Sequence, residues 1–180
     1  IDVRLNDGEG LTGLTEKGGT VGNIICVYKP TTITNISYRT LNLDELGGNI
    51  VVDTVVNGFG CISPYALVNI GAYDIVPSKD GIIFYDGGRK GRLNLIEETR
   101  PINTLIQPDY ENTIKYATYD KTSGFYYPRK QWYILSIVDP FIYPSGKNNV
   151  VYVLDIRTGE WWIMDNWLAK CFTSKSGNKE

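Results

Sequence analysis

The clearest hydrophobic pattern of the chain lies between residues 130 and 167. Residues 132–137 are aromatic and β-branched, and residues 150–156 are apolar at nearly every position. Aromatic and β-branched runs favour strands, and a run without polar alternation indicates a strand buried on both faces. Between these runs, residues 139–149 are rich in proline, glycine and asparagine, which take the chain out of a sheet.

The end of this stretch predicts a hairpin anchored by two tryptophans. Residues 157–160 include Gly159, which suits the left-handed position of a short turn, and residues 161–164 form the returning strand. Trp161 and Trp162 are adjacent, so their side chains should point to opposite faces of the sheet. The whole stretch therefore predicts a meander of three strands with an aromatic anchor.

The preceding sequence shows similar strand patterns. An Asp-Gly pair at 80–81, between two β-rich runs, is the strongest short hairpin signal. Alternation in residues 32–38 favours a strand near a sheet edge. The first 19 residues contain five glycines and predict an irregular leading segment with one short turn at 11–14. Other predicted strands are 23–28, 49–56, 65–70, 73–76, 82–85, 116–119 and 125–127, with short helical turns at 93–99 and 102–106.

The strand patterns form a loose repeat. Hairpin pairs begin near residues 23, 73 and 130, which are 50 and 57 residues apart. Repeats of this size, each made of several short strands, indicate propeller blades or a similar radial array, although three units are too few to close a ring of about 4–8 blades. We therefore predict an all-β fold of antiparallel meanders resembling propeller blades, with little helix. Residues 1–180 are interpreted as one partial propeller-like domain from a longer chain, with an irregular segment at 1–20 and a flexible tail at 173–180.

Charge and cysteine content narrow the function classes. The 180 residues carry 18 basic and 20 acidic side chains, and the isoelectric point of about 5.3 argues against a nucleic-acid binder held by a basic face. Histidine, the commonest general base and zinc ligand, does not occur. Cys26 lies in an apolar strand and is interpreted as a buried thiol, and the three widely spaced cysteines do not predict a disulfide framework. No run of apolar residues is long enough to span a membrane as a helix.

Three passages, in order along most of the chain, carry a resemblance to a known family. They are the loop 9–14 running into strands 23–28 and 33–38, the segments 60–69 and 80–88, and the strands 132–137 and 150–162 with Asp155, Gly159 and Trp161. In these passages the sequence resembles the β-propeller-like tail proteins of short-tailed bacteriophages, which comprise tail-nozzle, tubular tail and head-to-tail stabilisation components. Family members are usually several-fold longer than this chain.

The resemblance implies an architectural function. It implies a structural protein of the virion tail or head-to-tail connector, assembled in the host cytoplasm, that forms part of a ring around the channel for DNA ejection. The implied partners are further copies of the chain in a cyclic homo-oligomer, other tail or portal proteins, and passing DNA. It implies no enzyme activity and no catalytic residues, and we expect neither a cofactor nor a metal.

A glycine-rich basic segment at 87–92 invites comparison with a phosphate-binding loop. It lacks the GxxxxGK[ST] spacing and does not lead from a strand into a convincing helix. We interpret it as a solvated hairpin exit, in which Arg89, Lys90 and Arg92 make at most weak contacts with DNA phosphates.

Two further sets of residues keep other functions open. Aspartates could form an acid/base pair for glycoside cleavage, although most are expected at turns. Five aromatic residues could form a platform for sugars, although core packing is the favoured interpretation of the tryptophan pair. The alternative function is thus a carbohydrate-binding or glycoside-cleaving propeller for receptor recognition. Residues 155–161 also resemble part of a kelch blade, which makes a kelch-like protein-interaction module a third hypothesis. The aspartates are Asp74, Asp80, Asp86, Asp139, Asp155 and Asp165, and the aromatic residues are Trp161, Trp162, Trp167, Tyr126 and Tyr127.

Overall fold

The fold is built from three antiparallel sheets. The computed structural model describes residues 8–19, 22–40, 48–58, 60–71, 73–78, 81–87, 93–94, 122–137, 150–165, 167 and 169–173. Within these ranges every helix or strand element is a strand, and twelve strands form three sheets of four. The predicted mainly-β class is confirmed.

The first sheet is a consecutive meander with the order β1-β2-β3-β4. Its strands are β1 (Gly13–Gly19), β2 (Gly22–Tyr28), β3 (Thr32–Thr40) and β4 (Gly48–Asn57). The irregular segment predicted for residues 1–20 is wrong at residues 13–19, because β1 forms a full ladder with β2 that outweighs the low strand propensity of glycine. Residues 1–7 and 20 lie outside the described residues. The edge position predicted for β3 is also wrong, since β3 pairs with β2 and β4; its alternation reflects two different faces.

The second sheet has the order β5-β6-β7-β8. Its strands are β5 (Val68–Asn69), β6 (Asp74–Ser78), β7 (Gly81–Tyr85) and β8 (Leu93–Asn94). The predicted hairpin is confirmed, because β6 pairs with β7 from Asp74↔Tyr85 to Ser78↔Gly81. Residues 65–66 belong to a turn and not to the predicted strand, and residues 93–94 are strand and not a helical turn. The predictions for 95–99, 102–106 and 116–119 lie outside the described residues.

The third sheet has the order β12-β11-β10-β9. Its strands are β9 (Ser123–Tyr127), β10 (Trp132–Ile137), β11 (Val150–Asp155) and β12 (Trp161–Asp165). The predicted meander is present, with β9 as an additional fourth strand. All six residues of β11 are buried, which confirms burial on both faces. Gly159 has a φ of 73°, as predicted for the turn before β12.

The second sheet packs against both of the others. Because successive residues of a strand point to opposite faces, Ile75 and Phe84 join a core cluster with the third sheet, whereas Val76 and Ile83 join a cluster with the first. The third-sheet members of the first cluster are Tyr133, Leu135, Ile137, Val150, Tyr152 and Leu154, and the first-sheet members of the second are Cys26, Tyr28 and Ile33.

A loop at residues 60–66 bonds to all three sheet regions through its backbone. The N–H of Cys61 donates to the loop between β2 and β3, that of Ile62 donates to β6, and the carbonyl of Tyr65 accepts from β9, at 2.9, 2.9 and 2.8 Å. Gly60 is required here, since a Cβ at this position would lie 1.9 Å from the carbonyl oxygen of Lys29. The loop therefore fixes the sheets relative to one another.

Candidate functional site: a buried polar cluster between two sheets

The carboxylate of Asp74 is the centre of a polar cluster between the first and second sheets. Its Oδ2 accepts hydrogen bonds from Thr15 Oγ1 at 2.6 Å and from the hydroxyl of Tyr28. Its Oδ1 accepts a hydrogen bond from Asn69 Nδ2 at 2.8 Å and lies 3.3 Å from Lys17 Nζ. Asp74 is fully buried and Lys17 is 5% exposed. These five residues are called the Asp74 cluster below.

Strand geometry explains why these side chains meet. Thr15 and Lys17 are two positions apart on β1, so they share the face that Tyr28 presents from β2. Asp74 is the first residue of β6 and pairs with Asn69 of β5. On β6, Asp74 shares a face with Val76, whose core cluster contains Tyr28. The carboxylate therefore comes from the second sheet, and three of its four partners come from the first.

A second polar chain crosses the same boundary. The hydroxyl of Tyr85 donates to Asn35 Oδ1 at 3.0 Å, and Asn35 Nδ2 donates to the carbonyl of Gly87 at 2.9 Å. The rings of Tyr28 and Tyr85 meet edge to face, with centres 6.3 Å apart. Tyr28 and Tyr85 thus link the two polar groups through an apolar contact, and the hydroxyl of each of these two tyrosines has a hydrogen-bond partner.

Burial and the charge of Asp74 keep the hydroxyl of Tyr28 and the thiol of Cys26 protonated. Burial, and then the negative charge of Asp74, raises the pKa of Tyr28 far above its ordinary value. The same two causes raise the pKa of the Cys26 thiol to about 11. Because the thiolate is the nucleophilic form of cysteine, Cys26 is not activated for covalent chemistry at neutral pH. The contacts of the cluster join the first and second sheets.

Asp155 forms a different polar site, at the turn between β11 and β12. Its carboxylate accepts hydrogen bonds from Arg157 Nη2 at 2.6 Å, from Arg157 Nε at 3.0 Å and from the Arg157 N–H at 2.9 Å. Trp132 Nε1 donates to the same carboxylate at 3.2 Å. Hydrogen bonds from Arg157 hold the pKa of Asp155 well below its usual range. Asp155 is therefore the last residue of β11, and its carboxylate bonds to the turn that follows, so the sequence was right to place it beside a turn but it is itself a strand residue.

The described aspartates do not form the acid/base pair of the glycoside-cleaving alternative. Asp74 faces the first sheet, whereas Asp155 lies on the face of the third sheet that points away from the second. Asp86 is exposed after β7. Asp74 is not at a turn but begins a strand in the core, so the turn interpretation is wrong for it. Asp80, Asp139 and the side chain of Asp165 lie outside the described residues.

The aromatic residues of the sugar-binding alternative do not share one face. Trp161 packs against the core between the second and third sheets. Trp162 lies on the other face, where its ring centre is 5.5 Å from that of Trp132. Tyr126 pairs with the buried Tyr133, and the next residue along β9, Tyr127, points to the opposite face. The opposite orientation predicted for the two adjacent indoles is confirmed. The remaining platform residues are Tyr127, on the face of Trp132, and Trp167, which is 55% exposed.

Other sequence predictions have mixed outcomes. Cys26 is buried as predicted, Cys61 is also buried, and Cys171 is exposed and free. Arg89, Lys90 and Arg92 lie outside the described residues. No group of His, Cys, Asp or Glu within the described ranges could hold a metal ion. The same part of the chain contains no helix long and apolar enough to cross a membrane.

Sequence reasoning missed the Asp74 cluster. Asp74 was one candidate among several, but Thr15 and Lys17 lie 59 and 57 positions away in a segment that the glycine content marks as irregular. The only sequence signal is the alternation of Thr15 and Lys17 with their neighbours, which shows a shared face and does not identify the partner. In comparisons with known proteins, no family model and no curated protein matches the chain.

Proposed function

We propose that this chain is an architectural component of a bacteriophage virion, in the tail or head-to-tail connector. Copies of it would form part of an oligomeric ring around the DNA channel, together with other tail or portal proteins. The proposal starts from the resemblance of the three sequence passages to tail proteins of short-tailed phages. The observation that supports it in the structure is the Asp74 cluster, where a buried carboxylate of the second sheet bonds to side chains of the first sheet.

The mechanism we propose is passive. A middle sheet buried on both faces and a loop at residues 60–66 that bonds to all three sheet regions hold the three sheets in fixed positions. Fixed sheets let neighbouring subunits meet with a constant geometry, because close-packed interiors deform little. Such a wall needs neither a cofactor nor a metal, and it needs no catalytic residue.

The charge of the chain suits a channel through which DNA passes. Tight non-specific binding comes from neutralising phosphates with lysine and arginine, and this chain has a net charge of −2. Arg89, Lys90 and Arg92 are the residues proposed for weak, transient phosphate contacts. We expect duplex DNA to bind with a Kd above about 10⁻⁴ M at physiological salt. Alanine at all three positions should remove what binding remains.

The location of the protein tests the proposed function most directly. Mass spectrometry of gradient-purified particles from the source virus should find the chain in a fixed, multiple copy number, and immunogold labelling should place it at the tail. Detection only in the soluble fraction of infected cells would refute the proposal. Saccharide cleavage by the purified chain would instead favour the glycoside-cleaving alternative.

A further inference from the structure

The first sheet turns an apolar face away from the second sheet. Leu14 is 57% exposed, Ile25 46% and Ile50 40%. The strand register places Glu16 and Ile36 opposite Ile25, so they lie on the same face. These five residues are the main lining of an open groove of about 600 Å³, called the sheet-1 groove below. An exposed groove of this composition is typical of a protein contact surface.

A second exposed apolar surface lies on the third sheet. Trp162 pairs with Val153 of β11 and so points away from the core shared with the second sheet. It is 39% exposed and meets the ring of Trp132 edge to face. Lys130 Nζ lies 5.9 Å from the centre of the Trp132 ring. Lys130, Trp132 and Trp162 are called the indole patch below.

The two surfaces are complementary. An exposed indole is the kind of side chain that fills an apolar pocket at interface hot spots. Among the lining residues of the groove the ionic side chain is Glu16, which is acidic. The exposed ionic side chains beside Trp132 are Lys130 and Arg157, which are both basic, and Arg157 is paired with the buried Asp155. A groove paired with a second groove would bring Glu16 near its own copy, and a patch paired with a patch would do the same for Lys130. Like charges at such positions disfavour both self-pairings.

The positions of the two surfaces allow each copy to use both at once. The second sheet lies between the first and third sheets, and each surface faces away from it. We propose that copies of this chain associate head to tail, with Trp162 of one copy seated in the sheet-1 groove of the next. Such a heterologous contact gives a ring when its rotation closes and a filament when it does not. The inference deepens the proposed function and rests on it for ring closure.

The size of the sheet face sets the expected strength of one contact. Four strands about 4.8 Å apart and about six residues of about 3.3 Å each give a face of roughly 400 Å² per copy. The two faces together bury roughly 800 Å², which is less than the roughly 1,200 Å² of a standard stable interface. A single contact should therefore be weak. Each copy makes two contacts in a closed ring, so the ring should be favoured over isolated dimers.

Mixing two variants of the full chain tests the head-to-tail arrangement. Leu14→Asp disables the groove and leaves the patch intact, whereas Trp162→Ser does the reverse. Sedimentation velocity across protein concentration should show each variant at least tenfold weaker in self-association than the wild type, as expected for loss of a hot-spot contact. An equal mixture should form a 1:1 heterodimer and stop there, because only one intact groove meets one intact patch.

Two further variants test the charge pairing and guard against unfolding. Glu16→Lys alone should weaken association, and adding Lys130→Glu in the same chain should restore it. Tyr65→Ser is the matched control, since Tyr65 is 65% exposed and belongs to neither surface. Each variant should keep the far-ultraviolet circular dichroism of the wild type before its association is compared.

The outcomes separate this contact from the proposed function. A chain that is monomeric at every concentration, or variants that associate as the wild type does, would overturn the contact. Rings in purified particles that tolerate Leu14→Asp and Trp162→Ser would overturn the contact and leave the proposed function standing. Open filaments that respond to both variants would support the contact and count against the ring.

Discussion

Replacing Asp74 with asparagine removes the charge that joins the first two sheets and keeps the size of the side chain. The carboxylate has two oxygens and accepts from Thr15, Tyr28 and Asn69 while lying 3.3 Å from Lys17 Nζ. An asparagine offers one acceptor oxygen, and its amide nitrogen would face donors. At least one hydroxyl would then lose its acceptor, and the ammonium of Lys17 would stay buried without its counter-ion.

The expected cost follows from this burial. Removing one partner of a buried ion pair costs about 3–5 kcal/mol, chiefly because an unpaired charge remains inside. No reduction for solvent screening applies, since Asp74 is 0% and Lys17 5% exposed. With a total stability of about 5–15 kcal/mol for a typical domain, Asp74→Asn should be strongly destabilised.

Urea unfolding followed by tryptophan fluorescence measures the effect. We expect Asp74→Asn to lower the free energy of unfolding by about 3–5 kcal/mol, and the exposed control Glu160→Gln to change it by less than about 0.5 kcal/mol. In a Lys17→Met background, Asp74→Asn should lower the free energy of unfolding by less, because no buried ammonium is left without a counter-ion. Additive costs in this double-mutant cycle, or a loss below about 0.5 kcal/mol for Asp74→Asn, would refute the reasoning.

Three further predictions follow from other contacts. Because Arg157 lowers the pKa of Asp155, the ionised carboxylate should stabilise the fold above the ordinary carboxylate pKa of about 3.9 and lose this effect as the pH falls through its lowered pKa. The difference in melting temperature between the wild type and Asp155→Asn should therefore become smaller as the pH is lowered into the acid range. A difference that stays constant with pH would contradict this. Gly60→Ala should cost roughly 2–3 kcal/mol in urea unfolding through its clash with a backbone carbonyl, whereas Gly10→Ala, where a Cβ meets nothing within 4 Å, should be nearly neutral. In the native protein a maleimide should label Cys171 alone, because the other two thiols are buried and burial raises the pKa of each to about 11; labelling of all three before unfolding would disprove the burial.

Local patterns predicted the strands whose own side chains enter the core. The all-apolar run that became β11, the hairpin of β6 and β7, and the opposite faces of Trp161 and Trp162 all follow from alternation and turn chemistry within a few residues. Such signals depend on residues that are close in sequence, so a single sequence is enough to predict these features.

The elements that sequence reasoning missed depend on distant partners. β1 is a strand because β2 supplies a ladder for it, and its glycines give no sign of that. Asp74 is buried because Thr15 and Lys17 approach it from a strand 57 to 59 positions away. Propensity alone predicts a turn for an aspartate. Only the packing of the first sheet against the second shows that Asp74 is buried in the core beside the opposite charge of Lys17.

The two boundaries of the middle sheet differ in what they specify. The contact with the third sheet is mainly aliphatic and aromatic, and such surfaces tolerate small shifts as long as volume is conserved. The contact with the first sheet also contains a carboxylate that needs its donors within about 3 Å, so a small slip would strand buried polar groups. The polar boundary should therefore fix the position of the first sheet, and with it the position of the sheet-1 groove. For a protein proposed to work by presenting surfaces to its neighbours, that placement matters more than the net stability of the ion pair.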